Sequence, residues 1–267
     1  MIIGKAISPF ALRKKNGGGN DADAQAFITA TGISGTNATA TNQLVVDLKA
    51  ANIWTKMKAV YPMVGGTATT CKFNLKNPVD SNAAYRLVFS GGGTFSANGY
   101  QLNGTNSYAN TFLTPSTNLT LSNFHVSFYS RTLTVGSVVD IGGNSGLASY
   151  THLRIAANFV SGAGAATIVP FTTTTDARGL WLGTKRAAND RAVFRNNLKQ
   201  NSNATSDSNS LDALPLFLGA QNNAGTPALY SSKQCALSSI GDGLSDAEAL
   251  AYYNAVQTFQ TTLGRQV

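Results

Sequence analysis

The stretch Phe124-His125-Val126-Ser127-Phe128-Tyr129-Ser130 alternates apolar residues with more polar ones. An extended chain points successive side chains to opposite sides, so a period of two places Phe124, Val126 and Phe128 on one face of a strand. This pattern predicts a β-strand that buries one face of its sheet.

The same kind of pattern extends along the chain in both directions. Short apolar runs separated by turn residues continue from Gly65-Gly66 to about Gly243. Asn196-Asn197 separates two of these runs, and Asn tolerates the positive φ of a two-residue hairpin turn. Many short strands at this spacing are typical of a sandwich rather than a small barrel. We predict strands at 71–76, 85–90, 100–103, 107–112, 124–131, 136–141, 151–157, 165–169, 179–186, 191–195, 198–200, 214–219 and 233–240.

Helical patterns precede the strands. Residues 24–31 stop at Gly32, and residues 43–51 follow a Thr/Asn cluster that supplies N-caps. A third helix is expected after Asn52 and before Pro62, because one helical face would collect Ile53, Trp54, Met57, Val60 and Tyr61.

A closing helix carries start and stop signals. Ser245 and Glu248 have capping-box spacing, and Gly264 stands where a C-cap is expected. The glutamate therefore has a structural interpretation. The predicted apolar stripe of this helix consists of Leu250, Tyr253, Val256, Phe259 and Leu263.

Residues 1–20 differ from the rest of the chain. The basic triplet Arg13-Lys14-Lys15 is followed by three glycines at 17–19, which favours an arm with a flexible hinge. A disordered terminus with solvated charges is the alternative interpretation. The predicted organisation is a flexible attachment arm at 1–20, a helical lead-in at 21–66, and a sandwich with its closing helix at 67–267.

Composition argues against catalysis. Only 12% of the 267 residues are charged, and the acidic ones are eleven Asp and one Glu. A glycan hydrolase needs two carboxylates roughly 5 to 9.5 Å apart, but no predicted strand carries two on one face. We expect turn or surface positions for the isolated carboxylates Asp140, Asp176 and Asp190. His125 and His152 lie in strand patterns without a Gly-x-Ser-x-Gly motif, so structural roles are expected and no catalytic residue is assigned.

Cofactors, metals, nucleic acid and membrane insertion are not expected either. Cys71 and Cys235 do not fit a zinc motif and are expected to be buried free thiols. No phosphate or dinucleotide loop motif is present. The net charge is +8, but beyond the arm the basic residues are dispersed, which disfavours a nucleic-acid surface. No apolar run approaches the roughly 18 residues of a membrane span, and no secretory leader is recognisable.

Three stretches resemble known families. YQLNGTNSYANT at 100–111 followed by FHVSFYSR at 124–131, and SIGDGLSDAE at 239–248 with the tyrosines at 252–253, resemble concanavalin A-like, laminin G-like jelly rolls. LVVDLKAANIWTKMKAVYPMVGG at 44–66 is similar to the lead-in of tailed-bacteriophage structural proteins with such a domain. The resemblance implies a mainly β fold, a concanavalin A-like antiparallel β-sandwich (jelly roll) with an N-terminal helical lead-in and a C-terminal helix packed on it.

The resemblance also bears on the chemistry. Members that hydrolyse glucans carry a Glu-x-Asp-x-Glu strand, which this chain lacks, and no acidic calcium cluster is visible, although Asn and backbone carbonyls can ligate calcium. Four aromatic residues offer either stacking faces to a sugar or packing in the core, so none is assigned to a site: Tyr100, Tyr108, Tyr150 and Trp181.

The function expected from these features is that of a non-enzymatic phage virion protein, assembled in the host cytoplasm. As a tail or surface-fibre, receptor-binding component it would contact host glycans. Its arm, with Arg13, Lys14 and Lys15, would attach it to other virion proteins, and a homo-oligomer is expected. The alternatives are a capsid-decorating or fibre subunit with a purely structural role, and an unusual glycan hydrolase.

Overall fold

A computed structural model describes residues 19–146, 150–155, 158–161, 168–170, 175–206 and 210–267. The proposed attachment residues Arg13, Lys14 and Lys15 lie outside them. The helices are α1 Ala22–Thr31, α2 Gly35–Ala50, α3 Ala68–Cys71, α4 Pro115–Asn118 and α5 Asp246–Thr262, with 3-10 turns at Trp54–Lys56 and Asn82–Ala84. The strands are β1 Met57–Tyr61, β2 Val88–Ser90, β3 Thr94–Ser96, β4 Gly99–Gln101, β5 Tyr108–Asn110, β6 Phe124–Ser130, β7 Ile141–Asn144, β8 Tyr150–Arg154, β9 Asn158–Val160, β10 Ile168–Pro170, β11 Gly179–Ala187, β12 Asp190–Arg195, β13 Leu198–Asn203, β14 Phe217–Leu218, β15 Gln221–Asn223, β16 Thr226–Ala228 and β17 Gln234–Gly241.

The strands form two sheets. Sheet I has the order β13-β12-β11-β6-β17-β4-β3, with β1 added beside β17. Sheet II has the order β10-β9-β8-β7-β14-β5-β2, with β15 beside β7 and β16 beside β15. All pairings are antiparallel except β15 with β7. The predicted fold is confirmed: a mainly β sandwich of two antiparallel sheets with helices at both ends.

Strand β6 lies in the middle of sheet I, between β11 and β17. Its residues Phe124, Val126 and Phe128 point into the core between the two sheets, where they meet Trp181 and Ile240. The predicted alternation is therefore correct. The intervening side chains are buried as well, and Tyr129 belongs to a second core.

That second core lies between sheet I and the long helices. Leu44 and Leu48 of α2 and Val256 and Phe259 of α5 pack there with Tyr129 of β6. Sheet I is thus covered on both faces, whereas the sequence predicted burial of one. The long helices share a core with sheet I, and the outer face of sheet II lies on the opposite side of the sandwich from them.

Two predicted elements are wrong. The third helix is one 3-10 turn followed by β1, which pairs with β17. Asn52 adopts the left-handed conformation at φ 57° and breaks the helical path, and a strand buried on both faces can mimic helical spacing. The strand predicted at 71–76 does not form. Cys71 ends α3, which begins at the capping box of Thr67 and Thr70, and residues 72–76 lie in turns with one isolated bridge from Asn74 to Asn77. The start of the strand predicted at 136–141 shifts to Ile141.

Other local predictions are confirmed. Asn196 has φ 55° in the turn between β12 and β13, and the capping box of Ser245 and Glu248 begins α5. Gly264 has φ 66° just after that helix. Both cysteines are free and buried, in agreement with the expectation.

The predicted stripe of α5 is only partly correct. Val256 and Phe259 are buried, but Leu250 is 46% exposed. Ala249 and Tyr252, rather than Leu250, face sheet I. The small side chain of Ala249 lets the helix approach the sheet closely.

Substitutions at Val256 and Leu250 test which face of α5 packs against sheet I. Val256→Asp should cost roughly 3 kcal/mol or more, because it buries a carboxylate without a partner. Leu250→Asp should stay within about 0.5 kcal/mol of the parent, as surface substitutions do. Urea unfolding of both variants measures the difference. Equal losses of stability would contradict the observed orientation of the helix.

Candidate functional site

The outer face of sheet II presents a row of side chains on adjacent strands. Residues that point inward belong to the core between the sheets: Ala109, Ile141, Leu153 and Leu218. The neighbours of these residues along their strands therefore face outward. They are Tyr108 on β5, Phe217 on β14, Gly142 on β7, and His152 and Arg154 on β8.

Aromatic rings occupy one end of this row. Tyr108 stacks on Phe217 with ring centroids 4.7 Å apart, and Tyr230 lies 6.5 Å from Tyr108. Phe217 is 6% exposed and forms the floor, whereas both tyrosines are half-buried. Partly exposed rings on a rigid sheet offer flat apolar faces to a ligand.

The middle of the row is polar. Gly142 pairs with Phe217 on one side and with His152 on the other, and a Cβ at Gly142 would lie 2.3 Å from the Cβ of His152. Glycine thus allows the histidine to pack against the strand. The Nε2 of Gln221 lies 3.4 Å from the Nδ1 of His152. Burial, and secondly the charge of Arg154, lowers the pKa of His152 to about 4, so the ring is neutral near pH 7.

Arg154 stands at the other end. Its Nη2 donates to the Oγ of Ser137 at 2.5 Å, and its buried Nε has no hydrogen-bond partner. We call the set of six residues the outer-sheet surface: Tyr108, His152, Arg154, Phe217, Gln221 and Tyr230. Tyr108, Tyr230 and Arg154 are half-buried and partly accessible, whereas Phe217, His152 and Gln221 are only 6 to 7% exposed and form the floor beneath them.

The aromatic residues considered in the sequence analysis do not lie together in the structure. Tyr108 lies on the outer-sheet surface, while Tyr100 and Trp181 are buried in the core, where the Nε1 of Trp181 donates to the carbonyl of Ala177 at 2.9 Å. The side chain of Tyr150 lies outside the described residues. Sequence reasoning missed Phe217 and Tyr230. Phe217 falls in a predicted strand, but only the pairing of β14 with β7 shows which way it faces.

A second chemistry-bearing cluster lies beneath α5. His125 Nδ1 donates to the carbonyl of Asp242 at 2.6 Å, and its Nε2 lies 2.9 Å from the Oγ of Ser239. Ser239 also contacts the hydroxyls of Ser127 and Tyr252, at 2.7 and 2.8 Å. A base beside a serine resembles a hydrolytic pair, but the four side chains have no exposed surface. The cluster is a closed internal network, in agreement with a structural His125.

Asp140 is not the turn or surface residue that the sequence predicted. It is fully buried, and its Oδ1 lies 3.1 Å from the Nζ of the equally buried Lys233. Ser231 Oγ donates to Oδ1 at 2.7 Å, and the backbone N of Ile155 donates to Oδ2 at 2.8 Å. The lysine, 93 positions away in sequence, supplies the charge that allows this burial.

Within the described ranges, no group of three or more His, Cys, Asp or Glu side chains is placed to hold a metal ion. In the same part of the chain no helix is long and apolar enough to cross a membrane. The buried thiol of Cys71 has its pKa raised to about 11 by burial, so it is not a thiolate near neutral pH.

No protein-family model matches the chain, and no curated protein matches it. Solved structures do. A Trypanosoma rangeli sialidase mutant displaying trans-sialidase activity is similar over 81% of this chain and 39% of its own, with 10% identity and a TM-score of 0.50. Domain 4 of AbnA, a GH43 extracellular arabinanase from Geobacillus stearothermophilus, solved with arabinotriose, covers 74% of this chain and 98% of its own, with 13% identity and a TM-score of 0.47. At 10% identity the likeness to the sialidase mutant shows similarity of fold alone.

Asp212 is a buried carboxylate without a charged partner among the described residues. Its Oδ1 accepts from the backbone N of Leu214 at 3.0 Å, whereas its Oδ2 has no hydrogen-bond partner. The Oδ2 lies over Gly143, where a Cβ would approach it to 2.5 Å. Burial raises the pKa of Asp212 to about 6.

A carboxyl whose pKa is raised on folding stabilises the protein while it is protonated, and this contribution is lost as the pH rises through the folded pKa. Asp212→Asn should therefore match the parent near pH 4 and exceed its stability at pH 7.5 by about 1 to 2 kcal/mol. Urea unfolding at both pH values measures this. Asp176→Asn is the control of opposite sign, because its side-chain bond to Arg178 lowers the pKa of Asp176. A pH-independent effect of Asp212→Asn would contradict the prediction.

Proposed function

We propose that the protein is a non-enzymatic component of a tailed-phage virion that binds host-surface glycans through the outer-sheet surface. The observation that carries the glycan part is the pair Tyr108 and Phe217 on the sheet face opposite the helical layer, with Tyr230 of the segment after β16 beside them. Pyranose rings present apolar C–H faces that pack on aromatic rings, and their hydroxyls exchange hydrogen bonds with neutral polar groups. Gln221 and His152 lie 3.4 Å apart and, at 6% and 7% exposure, form a neutral polar floor on the same face of the sheet.

The disposition of the carboxylates supports a binding role without catalysis. Asp140, which precedes β7, is engaged by Lys233, Ser231 and a backbone N–H, so it is not free to act as an acid or a nucleophile. Glycan hydrolysis needs a pair of carboxylates on either side of the bond that breaks. The six residues of the outer-sheet surface include no carboxylate, and the Ser239–His125 pair is enclosed beneath α5.

Removing the exposed rings tests the glycan part. Tyr108→Ala and Tyr230→Ala should each weaken binding to a glycan selected on an array by about fivefold, since stacking contributes on the order of 1 kcal/mol. Tyr253→Ala is the matched control, because Tyr253 is a half-buried tyrosine on α5, on the other side of sheet I. Isothermal titration gives the affinities.

Equal losses of glycan affinity in Tyr108→Ala, Tyr230→Ala and Tyr253→Ala would contradict the proposed surface. Release of reducing ends from a bound polysaccharide, lost on replacing one Asp by Asn, would contradict the non-enzymatic part. Incorporation into particles without binding to any glycan on the array would favour the purely structural subunit.

The virion assignment is supported by the resemblance of residues 44–66 to phage lead-ins and by the composition of the arm. Residues 1–20 carry four of the 20 basic residues and no acidic one, so they suit an acidic docking surface on other virion proteins. In this proposal Arg13, Lys14 and Lys15 make the attachment. A homo-oligomer on the particle would present several outer-sheet surfaces at once and gain avidity.

Truncation tests the attachment. Deleting residues 1–19 should leave the melting temperature nearly unchanged, because the long helices and both sheets lie beyond that segment, and should abolish incorporation into particles. Replacing the three basic residues by Ser should weaken attachment in a salt-dependent way. Calorimetry and particle composition measure the two effects. Full incorporation of the truncated chain would contradict the role of the arm.

A further inference from the structure

We infer that the ligand of the outer-sheet surface is an acidic oligosaccharide and that Arg154 pairs with its carboxylate. This inference rests on the proposed glycan binding and specifies the class of glycan. It follows from the position of one cation and from the groups around it.

Arg154 is a cation without a counter-ion in the part of the chain that the structure describes. Arg178, Arg86 and Arg186 form ion pairs with aspartates. Among the described residues, Arg131 and Arg265 also lack a carboxylate partner, but several carbonyl oxygens accept from their guanidinium groups. Arg154 has only the neutral hydroxyl of Ser137. A half-buried guanidinium of this kind favours an anion from outside the chain.

The carboxylate nearest in the strand register does not serve as that anion. Asp140 directly precedes β7, and its backbone N donates to the carbonyl of Leu153, so it stands beside β8 next to Arg154. Its oxygens are bound by Lys233, Ser231 and the backbone N of Ile155. Lys233 thus neutralises Asp140 internally and leaves the charge of Arg154 available.

The geometry of the guanidinium suits a carboxylate. The Oγ of Ser137 holds Nη2, which restricts the side chain, and Nε is buried without a partner. An external carboxylate would pair with the accessible part of this half-buried guanidinium, whose restricted rotation lowers the entropic cost of binding. His152, two residues earlier on the same face, is buried and neutral near pH 7, so it adds no second charge.

The separation of the groups sets the length of the ligand. Arg154 is on β8 and Tyr108 is on β5, three strand positions apart in the order β8-β7-β14-β5. At a strand spacing of about 4.8 Å, that is roughly 14 Å. A ligand that reaches both ends is longer than one sugar ring, so an oligosaccharide is required.

The test compares acids with their neutral esters. Trigalacturonate and sialyllactose, each beside its methyl ester, are titrated into the parent protein and into Arg154→Met, Arg154→Lys and Arg178→Met. The parent should bind at least one acid roughly tenfold or more tightly than its ester, as expected for a hydrogen-bonded charge. Arg154→Met should abolish that preference, and Arg154→Lys should reduce it. Arg178→Met, which changes the net charge equally, should retain it.

The outcomes separate the inference from the proposed function. Equal affinity of the parent for acid and ester, with binding still weakened by Tyr108→Ala, overturns the inference and leaves glycan binding standing. No binding of any saccharide on the array overturns both. Preference for a sulfated oligosaccharide over both carboxylates overturns the carboxylate assignment. If Arg154→Met does not fold, the acid-to-ester ratio of the parent and of Arg154→Lys decides.

Discussion

Sheet I is buried on both faces, and the rest of the structure depends on how it accommodates this. On one side β6 contributes Phe124, Val126 and Phe128 to the core between the sheets. On the other side it presents His125 and Ser127 to the helices, where water cannot reach them. Buried polar groups are costly unless they are hydrogen-bonded. The hydroxyls of Ser239 and Tyr252 meet that requirement, so the network also fixes where α5 docks on the sheet.

The two sheets differ in what covers their outer faces. The helical layer occupies the outer face of sheet I, whereas no helix of the described residues packs on the outer face of sheet II. Sheets hold their side chains at fixed spacings, so the strands give the side chains of the proposed binding surface fixed relative positions. The glycine at position 142 contributes by allowing His152 to lie against its strand.

The two strongest departures from sequence reasoning share a cause. Leu250 is apolar yet exposed, and Asp140 is charged yet buried. For Leu250, the small Ala249 beside it, rather than the larger leucine, faces the sheet. For Asp140, a partner 93 residues along the chain compensates the charge. Both outcomes depend on the neighbour across the interface, which local periodicity does not contain.

By itself, the sequence determined the class of fold, the closing helix with its capping box, and the hairpin turn at Asn196-Asn197, because these depend on period, caps and turn residues that lie close together along the chain. It also showed that acidic residues are few and that no predicted strand carries two carboxylates on one face. Only the tertiary structure decided that 53–61 is a 3-10 turn and a strand, that Tyr100 and Trp181 are core residues while Tyr108 faces outward, and that Phe217 and Tyr230 join it. Those outcomes rest on strand order and on which face each sheet turns toward the helices, and both are set by contacts between residues far apart in sequence.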